Sequence, residues 1–139
     1  MRIYLDTSAL VKLVVAEDES QSLQSFLSAR ADDSLFSAAL ARTELIRAVA
    51  PNGAQAIASA RDLLNSVDTV MLTRQLLDDA GTLLPLRLRS LDAIHLVAAQ
   101  RAGDTLRAVI TYDARMLSAA ADLGISRASA RWGFIDTVV

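Results

Sequence analysis

A short apolar run that ends on a carboxylate occurs twice in this chain, and the repetition restricts the possible folds sharply. Ile3-Tyr4-Leu5 has the composition of a buried β-strand and stops at Asp6. Ala108-Val109-Ile110-Thr111 is a second such run, bounded by Tyr112-Asp113. A helix-forming segment follows each acid: Ala9 to Val15 after the first, and 114–123 after the second, stopped by Gly124. Repeated strand–acid–helix units predict a parallel sheet, in which both carboxylates emerge at the same edge. That C-terminal edge is where open α/β sheets place ligands. Asp6 by itself reads equally well as a helix cap, so the other acids must decide between the two roles.

The intervening chain keeps the alternation. Leu23, Phe26 and Leu27 recur at helical spacing through residue 30, and Ser34-Leu35-Phe36-Ser37 is short enough for a second strand. A helix is expected over 38–50, ended by Pro51-Asn52-Gly53, and another over 54–66 with Ile57, Ala60, Leu64 and Val67 on one stripe. Residues 68–72 predict a third strand. Thr73 then caps a helix whose apolar positions are Leu76, Leu77, Ala80, Leu83 and Leu84, and Pro85 breaks it. Ser90 is placed to cap a helix over 91–102, closed by Gly103. The tail from Ile125 has room for one more short strand and contains Trp132. The expected architecture is one α/β domain over residues 1–139 with a mainly parallel central sheet.

Composition excludes several function classes. A length of 139 residues suits one domain with a proper core. Hydrophobic residues make up 53% and mean hydropathy is +0.33, but much of that is alanine, which predicts close helix packing. No run approaches the roughly 20 apolar residues of a spanning helix. Asp6 interrupts the N-terminal apolar run and Glu17-Asp18-Glu19 follows, which argues against a signal peptide, and the absence of cysteine is compatible with a reducing cytoplasm. The chain has no cysteine, which removes disulfides, thiolate catalysis and cysteine-based zinc sites. A net charge of −2 argues against binding nucleic acid by bulk attraction. Lys12 is the sole lysine, so phosphate contacts must come from arginines. Arg87 and Arg89, just before the Asp92 helix, suit the rim of a pocket, and Arg42 and Arg115 are further candidates. Asp32-Asp33 and Asp78-Asp79 read as solvated surface, and Trp132 and Phe134 as core or dimer contacts.

Two more acids join Asp6 and Asp113. Asp92 falls in the first turn of its helix, where its plainest role is to stabilise the helix dipole. Glu44 has Leu40, Ala41 and Ala48 as helical neighbours, so it projects from a largely apolar stripe and needs a partner. Arg47, three residues on, is one choice; a polar pocket shared with Asp6, Asp92 and Asp113 is the other. Four converging carboxylates stay ionised only if cations neutralise them. Oxygen ligation selects hard divalent ions, Mg²⁺ or Mn²⁺, and such ions act on phosphate oxygens, which points to phosphodiester hydrolysis. On that reading Glu44→Gln relieves repulsion and leaves stability intact or raised. His95, the only histidine, lies one helical step from Asp92 and reads as a packing residue hydrogen-bonded near the site.

Leu5-Asp6-Thr7-Ser8-Ala9-Leu10, Arg42-Thr43-Glu44-Leu45, Leu91-Asp92-Ala93-Ile94-His95-Leu96 and Ile110-Thr111-Tyr112-Asp113 together resemble the acidic motifs of PIN-domain ribonucleases, and more narrowly VapC toxins of toxin–antitoxin pairs. The likeness spans nearly the whole chain in the family's order. It implies a three-layer α/β/α fold and an Mg²⁺-dependent endoribonuclease, usually a homodimer, inhibited by a cognate antitoxin. Asp6, Glu44, Asp92 and Asp113 become the catalytic and metal-binding acids, supported by Thr7, Ser8 and Thr111. A non-catalytic PIN-like module that binds RNA or protein is the alternative, and four intact acids count against it. Receiver-type and haloacid-phosphatase sites need a lysine late in the chain, and a phosphatase also wants an acid where Ser8 stands. No glycine-rich phosphate loop occurs, which excludes P-loop chemistry.

Overall fold

β1 (Arg2–Leu5) takes the middle of a five-stranded, wholly parallel sheet ordered β3-β2-β1-β4-β5. Its sequence suits that place, because Ile3, Tyr4 and Leu5 are all fully buried and a central parallel strand is covered on both faces. The computed structural model describes residues 1–125 and 127–128. After β1 come α1 (Thr7–Val14) and α2 (Ser20–Ser28), β2 (Ser34–Ala38), α3 (Ala41–Val49), α4 (Ala54–Ser66) and β3 (Asp68–Val70). α5 (Arg74–Gly81) and α6 (Ser90–Gln100) follow, then β4 (Leu106–Ile110), α7 (Ala114–Asp122) and β5 (Arg127–Ala128).

Alternation along the strands sorts the helices into two layers. Ile3, Leu5 and Ile110 face α1–α4, meeting Leu10, Leu23, Phe26, Leu45 and Leu64. Tyr4, Phe36 and Val109 face α5–α7, meeting Leu76, Leu96, Val97 and Met116. Each fully buried Ile, Leu or Phe contributes about 1.5–3 kcal/mol, enough in sum to let the sheet edge carry buried polar groups. The three-layer α/β/α arrangement expected from sequence is therefore the one observed.

The connections decide where the site lies. From β1 the chain moves outward through β2 to β3, then crosses to β4 on the other side of β1 and on to β5. Strand order reverses between β1 and β4, and at such a switch point the two following loops diverge and leave a crevice at the C-terminal edge. Asp6 and Asp113 stand at the two lips of this crevice.

Several boundaries moved: β3 ends at Val70 and not 72, and α5 ends at Gly81, which leaves Leu83 and Leu84 beyond the helix. β2 continues to Ala38, so α3 begins at Ala41 and not 38. α6 starts at Ser90, with Arg89 in the capping position and no side-chain cap bond. β4 begins at Leu106 and stops at Ile110, which leaves Thr111 free to use its side chain at the site. The expected tail strand is present as β5, whereas Trp132 and Phe134 lie outside the described residues. Asp33 corrects a surface reading: its side chain is only 5% exposed and binds the N-terminal ammonium at 3.1 Å and Arg107. Lys12 is also buried, bonded to Glu17 at 2.6 Å and Glu19 at 2.8 Å, where it ties the end of α1 to the start of α2.

Candidate active site

Asp6 both caps α1 and ties the two central strands together. Its Oδ1 accepts the Ala9 N–H at 2.9 Å and the Ser8 hydroxyl at 2.6 Å, while Oδ2 accepts the Thr111 hydroxyl at 2.5 Å. Ser8 Oγ in turn accepts the Tyr112 N–H at 2.9 Å, and Thr111 Oγ1 accepts the Asp113 N–H at 3.1 Å. Two hydroxyls thus stitch the end of β1 to the end of β4. The helix cap expected of Asp6 is therefore formed, while the Ser8 hydroxyl donates to that same carboxylate and the Thr7 hydroxyl to Glu44. Asp6 is 3% exposed, and burial pushes its pKa up, only partly offset by the bonds from Ser8, Thr111 and Ala9.

Glu44 reaches the same region from α3. Its Oε1 accepts two bonds, from the Thr7 hydroxyl at 2.7 Å and from His95 Nε2 at 2.7 Å. Among the described residues Glu44 pairs with His95 and makes no ion pair with Arg47, so the Arg47 alternative is not the one realised. Burial raises its pKa, but the bonds from His95 and Thr7 outweigh that and hold it below the ordinary carboxylate range. This corrects the expected response of Glu44→Gln, because the charge has donors that a neutral amide engages less strongly.

Behind His95 stands Tyr4, expected from its position only to be a strand residue. The Tyr4 hydroxyl accepts the Ala38 N–H at 3.2 Å and lies 2.6 Å from His95 Nδ1. With its acceptor role used by Ala38, the phenol presents its own proton to Nδ1, and the imidazole then carries hydrogen on Nε2 and donates to Glu44. A fully buried tyrosine in a central strand needs a polar partner, and that was the available signal. The chain Ala38–Tyr4–His95–Glu44 runs from the α5–α7 layer round the sheet edge to α3. Both donors land on Oε1, so among the described residues Oε2 accepts no hydrogen bond and is the oxygen available to a ligand.

Asp92 and Asp113 complete the set. Asp113 caps α7, its Oδ1 accepting the Arg115 N–H at 2.8 Å and the Met116 N–H at 3.2 Å. Asp92, the third residue of α6, is half-buried and makes no hydrogen bond or ion pair among the described residues. Burial raises its pKa first; the charges of Asp113 and Asp6 push it further, and that of Arg89 opposes them. Asp6, Asp92 and Asp113 therefore share one electrostatic neighbourhood.

The donor set fits a hard divalent cation in chemistry, since it is all carboxylate oxygen with one half-buried acid left without a hydrogen-bond donor. Among the described residues, however, no three acidic or histidine side chains are drawn together as a ready-made metal site. The fit is one of donor type and neighbourhood.

The arginines divide. Arg89 acts electrostatically on Asp92. Arg87 and Arg115 line a cavity of about 410 Å³ with Pro85, Leu88, Ala114, Ser118 and Ala119. Arg42 does something else: its guanidinium donates to the Leu64 carbonyl and to Asn65 Oδ1, both at 3.3 Å, which binds α3 to the end of α4. Those two bonds hold its guanidinium against the neighbouring helix.

A PIN domain family profile matches residues 3–122. The chain is 47% identical over 124 residues to "Ribonuclease VapC46" of Mycobacterium tuberculosis (strain ATCC 25618 / H37Rv), covering 89% of this chain and 94% of that protein. It is 42% identical over 130 residues to "Ribonuclease VapC47" of M. tuberculosis (strain CDC 1551 / Oshkosh), covering 91% and 96%. In fold it is similar to the crystal structure of M. tuberculosis VapC20, described as a sarcin–ricin loop cleaving toxin, with a TM-score of 0.72 at 16% identity and 99% of each chain covered.

Proposed function

This chain belongs to the PIN-domain family, and on that premise we propose that it is a divalent-metal-dependent endoribonuclease, the toxin of a toxin–antitoxin pair, acting as a single domain. The observation that carries the proposal is Asp92: a half-buried carboxylate without a hydrogen-bond donor, pressed by the charges of Asp113 and Asp6 at the switch point of the sheet. Placing uncompensated negative charge there destabilises the fold unless a cation is bound.

Asp6, Asp92, Asp113 and Oε2 of Glu44 are the groups that would hold Mg²⁺, with Mn²⁺ as a substitute. When bound, the ion supplies a water of lowered pKa and charge stabilisation on the phosphate oxygens. The chain's own residues supply the orientation. Ser8 and Thr111 fix both oxygens of Asp6, Thr7 and His95 fix one oxygen of Glu44, and two backbone N–H groups fix one oxygen of Asp113. Arg87, Arg89 and Arg115, all exposed beside the crevice, suit RNA phosphates; Arg42 drops out of that role.

A cognate antitoxin and a second copy of the chain are the proposed protein partners, in the cytoplasm where RNA is the substrate. Exposed Leu77, Leu84, Leu86 and Leu91 give the apolar surface that supports a protein partner. Among the described residues no helix is long and apolar enough to cross a membrane. The test is cleavage of RNA by purified, antitoxin-free protein with Mg²⁺ or Mn²⁺, abolished by EDTA and by Asp92→Asn. RNA that stays intact with either ion would sink the enzymatic reading and favour the binding module.

A further inference from the structure

Two hydrogen bonds end on one oxygen of Glu44, and one of the donors is itself held by a residue buried in the opposite layer. We propose that Tyr4 is a positioning residue of the acidic site: from inside the α5–α7 layer it fixes the tautomer of His95, and through it the oxygen that Glu44 offers to a cation. This rests on the metal-dependent reading above and gives it a residue that touches neither ion nor RNA.

The phenol has little freedom. Its ring is fully buried, edge-on to Phe36 with centroids 5.1 Å apart and edge-on to the His95 imidazole at 5.9 Å. The Ala38 N–H, at the end of β2, donates to the phenol oxygen at 3.2 Å, which directs the hydroxyl's own hydrogen to Nδ1, 2.6 Å away. A neutral imidazole whose Nδ1 accepts carries its hydrogen on Nε2. That hydrogen faces Oε1 of Glu44 at 2.7 Å.

The other tautomer undoes the arrangement. With hydrogen on Nδ1, a bare Nε2 lone pair would meet a carboxylate oxygen at 2.7 Å, a repulsive contact that only movement of Glu44 relieves. Thr7 alone does not prevent that movement, because its hydroxyl makes a single 2.7 Å bond about which the carboxylate can pivot. Together, donors from α1 and α6 hold Oε1 from two helices and leave Oε2 for the ion. His95 is 3% exposed, so a ring nitrogen deprived of its partner has no bulk water to turn to. Removing an outer partner of a metal-ligating group lowers metal affinity by about 10–100-fold. Tyr4 stands one bond further out than His95, which places it at the low end of that range.

The chain's own composition makes the test direct. His95 is the only histidine, so its ring nitrogens are read without assignment by NMR of metal-free protein labelled at those atoms. The expected signature at pH 7 is a bare Nδ1 and a protonated Nε2, and Tyr4→Phe is expected to lose that preference. By calorimetry Tyr4→Phe should bind Mn²⁺ about tenfold more weakly. His95→Gln keeps an amide donor near the place of Nε2 and has no tautomer to set. Adding Tyr4→Phe to His95→Gln should therefore cost no further Mn²⁺ affinity, and His95→Leu should lose more than His95→Gln.

Hydrogen on Nδ1 of the unsubstituted protein, or unchanged Mn²⁺ affinity in Tyr4→Phe, would overturn the proposal. So would an equal loss in the His95→Gln background, because Tyr4 would then act through packing. If Tyr4→Phe does not fold, the ring signature of the unsubstituted chain still decides, and His95→Gln binding no better than His95→Leu overturns the proposal. A chain that binds Mn²⁺ but cuts no RNA sinks the ribonuclease reading and leaves the role of Tyr4 standing on the affinities. A chain that cuts RNA and keeps its Mn²⁺ affinity in Tyr4→Phe sinks only the role of Tyr4, and one that binds no Mn²⁺ ends both.

Discussion

Two buried carboxylates, one at each edge of the same sheet, have opposite fates. Asp33 lies at the N-terminal edge just before β2, where Arg107 and the N-terminal ammonium meet it and hold its pKa below the ordinary aspartate value. Asp6 lies at the C-terminal edge and is buried more deeply, yet its direct partners are two hydroxyls and a peptide N–H, and its pKa is raised. Asp92 beside it is raised as well. One edge closes its charge with the chain's own cations. The other holds its acids in place with neutral donors and leaves the charge uncompensated. An edge built only for stability would resemble the first, because a buried charge costs less when paired.

Removing an acid from the uncompensated edge should have the strongest consequence. Asp92→Asn should lower RNA cleavage by about 10²–10³-fold, the usual loss when one preorganised electrostatic group is removed. In EDTA the same protein should melt higher than the unsubstituted chain at pH 7. The sign follows from the raised pKa: the penalty is present above the folded pKa and is relieved as pH falls through it. Metal-free melts between pH 7 and 4 should therefore show a smaller gain on acidification in Asp92→Asn. Unchanged cleavage would remove Asp92 from the site.

Asp33→Asn probes the closed edge. It should lose about 1–2 kcal/mol of stability at pH 7, discounted for the partly exposed Arg107, while cleavage per folded molecule stays the same. A depressed pKa gives stability that is fully present above the unfolded value, near 4, and is lost as pH falls through the folded one. Urea titrations at pH 7 and near pH 3 should show the gap between the two proteins closing in acid. A gap that persists there would mean that Asp33 acts through packing.

Glu44→Gln is a finer test, because Glu44 sits at the uncompensated edge but has donors of its own. It should lose about 1 kcal/mol in EDTA, the charge-assisted part of two hydrogen bonds, and bind Mn²⁺ more weakly by calorimetry. A rise in metal-free stability would instead show that repulsion among the acids outweighs the Thr7 and His95 bonds. Smallest of all should be Arg42→Ala: a stability loss of about 0.5–1 kcal/mol from two long bonds and no change in cleavage, measured on the same substrate. Impaired cleavage there would return Arg42 to the RNA surface.

The four acids were legible in the sequence because each stands at a place that periodicity marks: Asp6 and Asp113 at strand ends, Asp92 in a first helical turn, Glu44 on an apolar stripe. Partner choice was not legible. Glu44 has an arginine three residues away and uses a histidine fifty-one residues away, since the side-chain directions of α3 and α6 decide which of the two it can meet. Arg42 lies next to an acidic motif and serves packing, for the same reason. Asp33, in a polar pair that looks like surface, is buried because Arg107 of β4 and the chain terminus arrive there from outside its own segment.

The alternation of strands and helices, the parallel sheet and the edge at which Asp6 and Asp113 emerge are all written into local residue patterns, because they follow from periodicity and chain direction. The tertiary structure alone decided that strand order reverses between β1 and β4, that Tyr4 and His95 hold Glu44, and that Asp33 closes its charge while Asp6 does not. Those outcomes depend on which distant side chains arrive at a given point, and local periodicity carries no information about that.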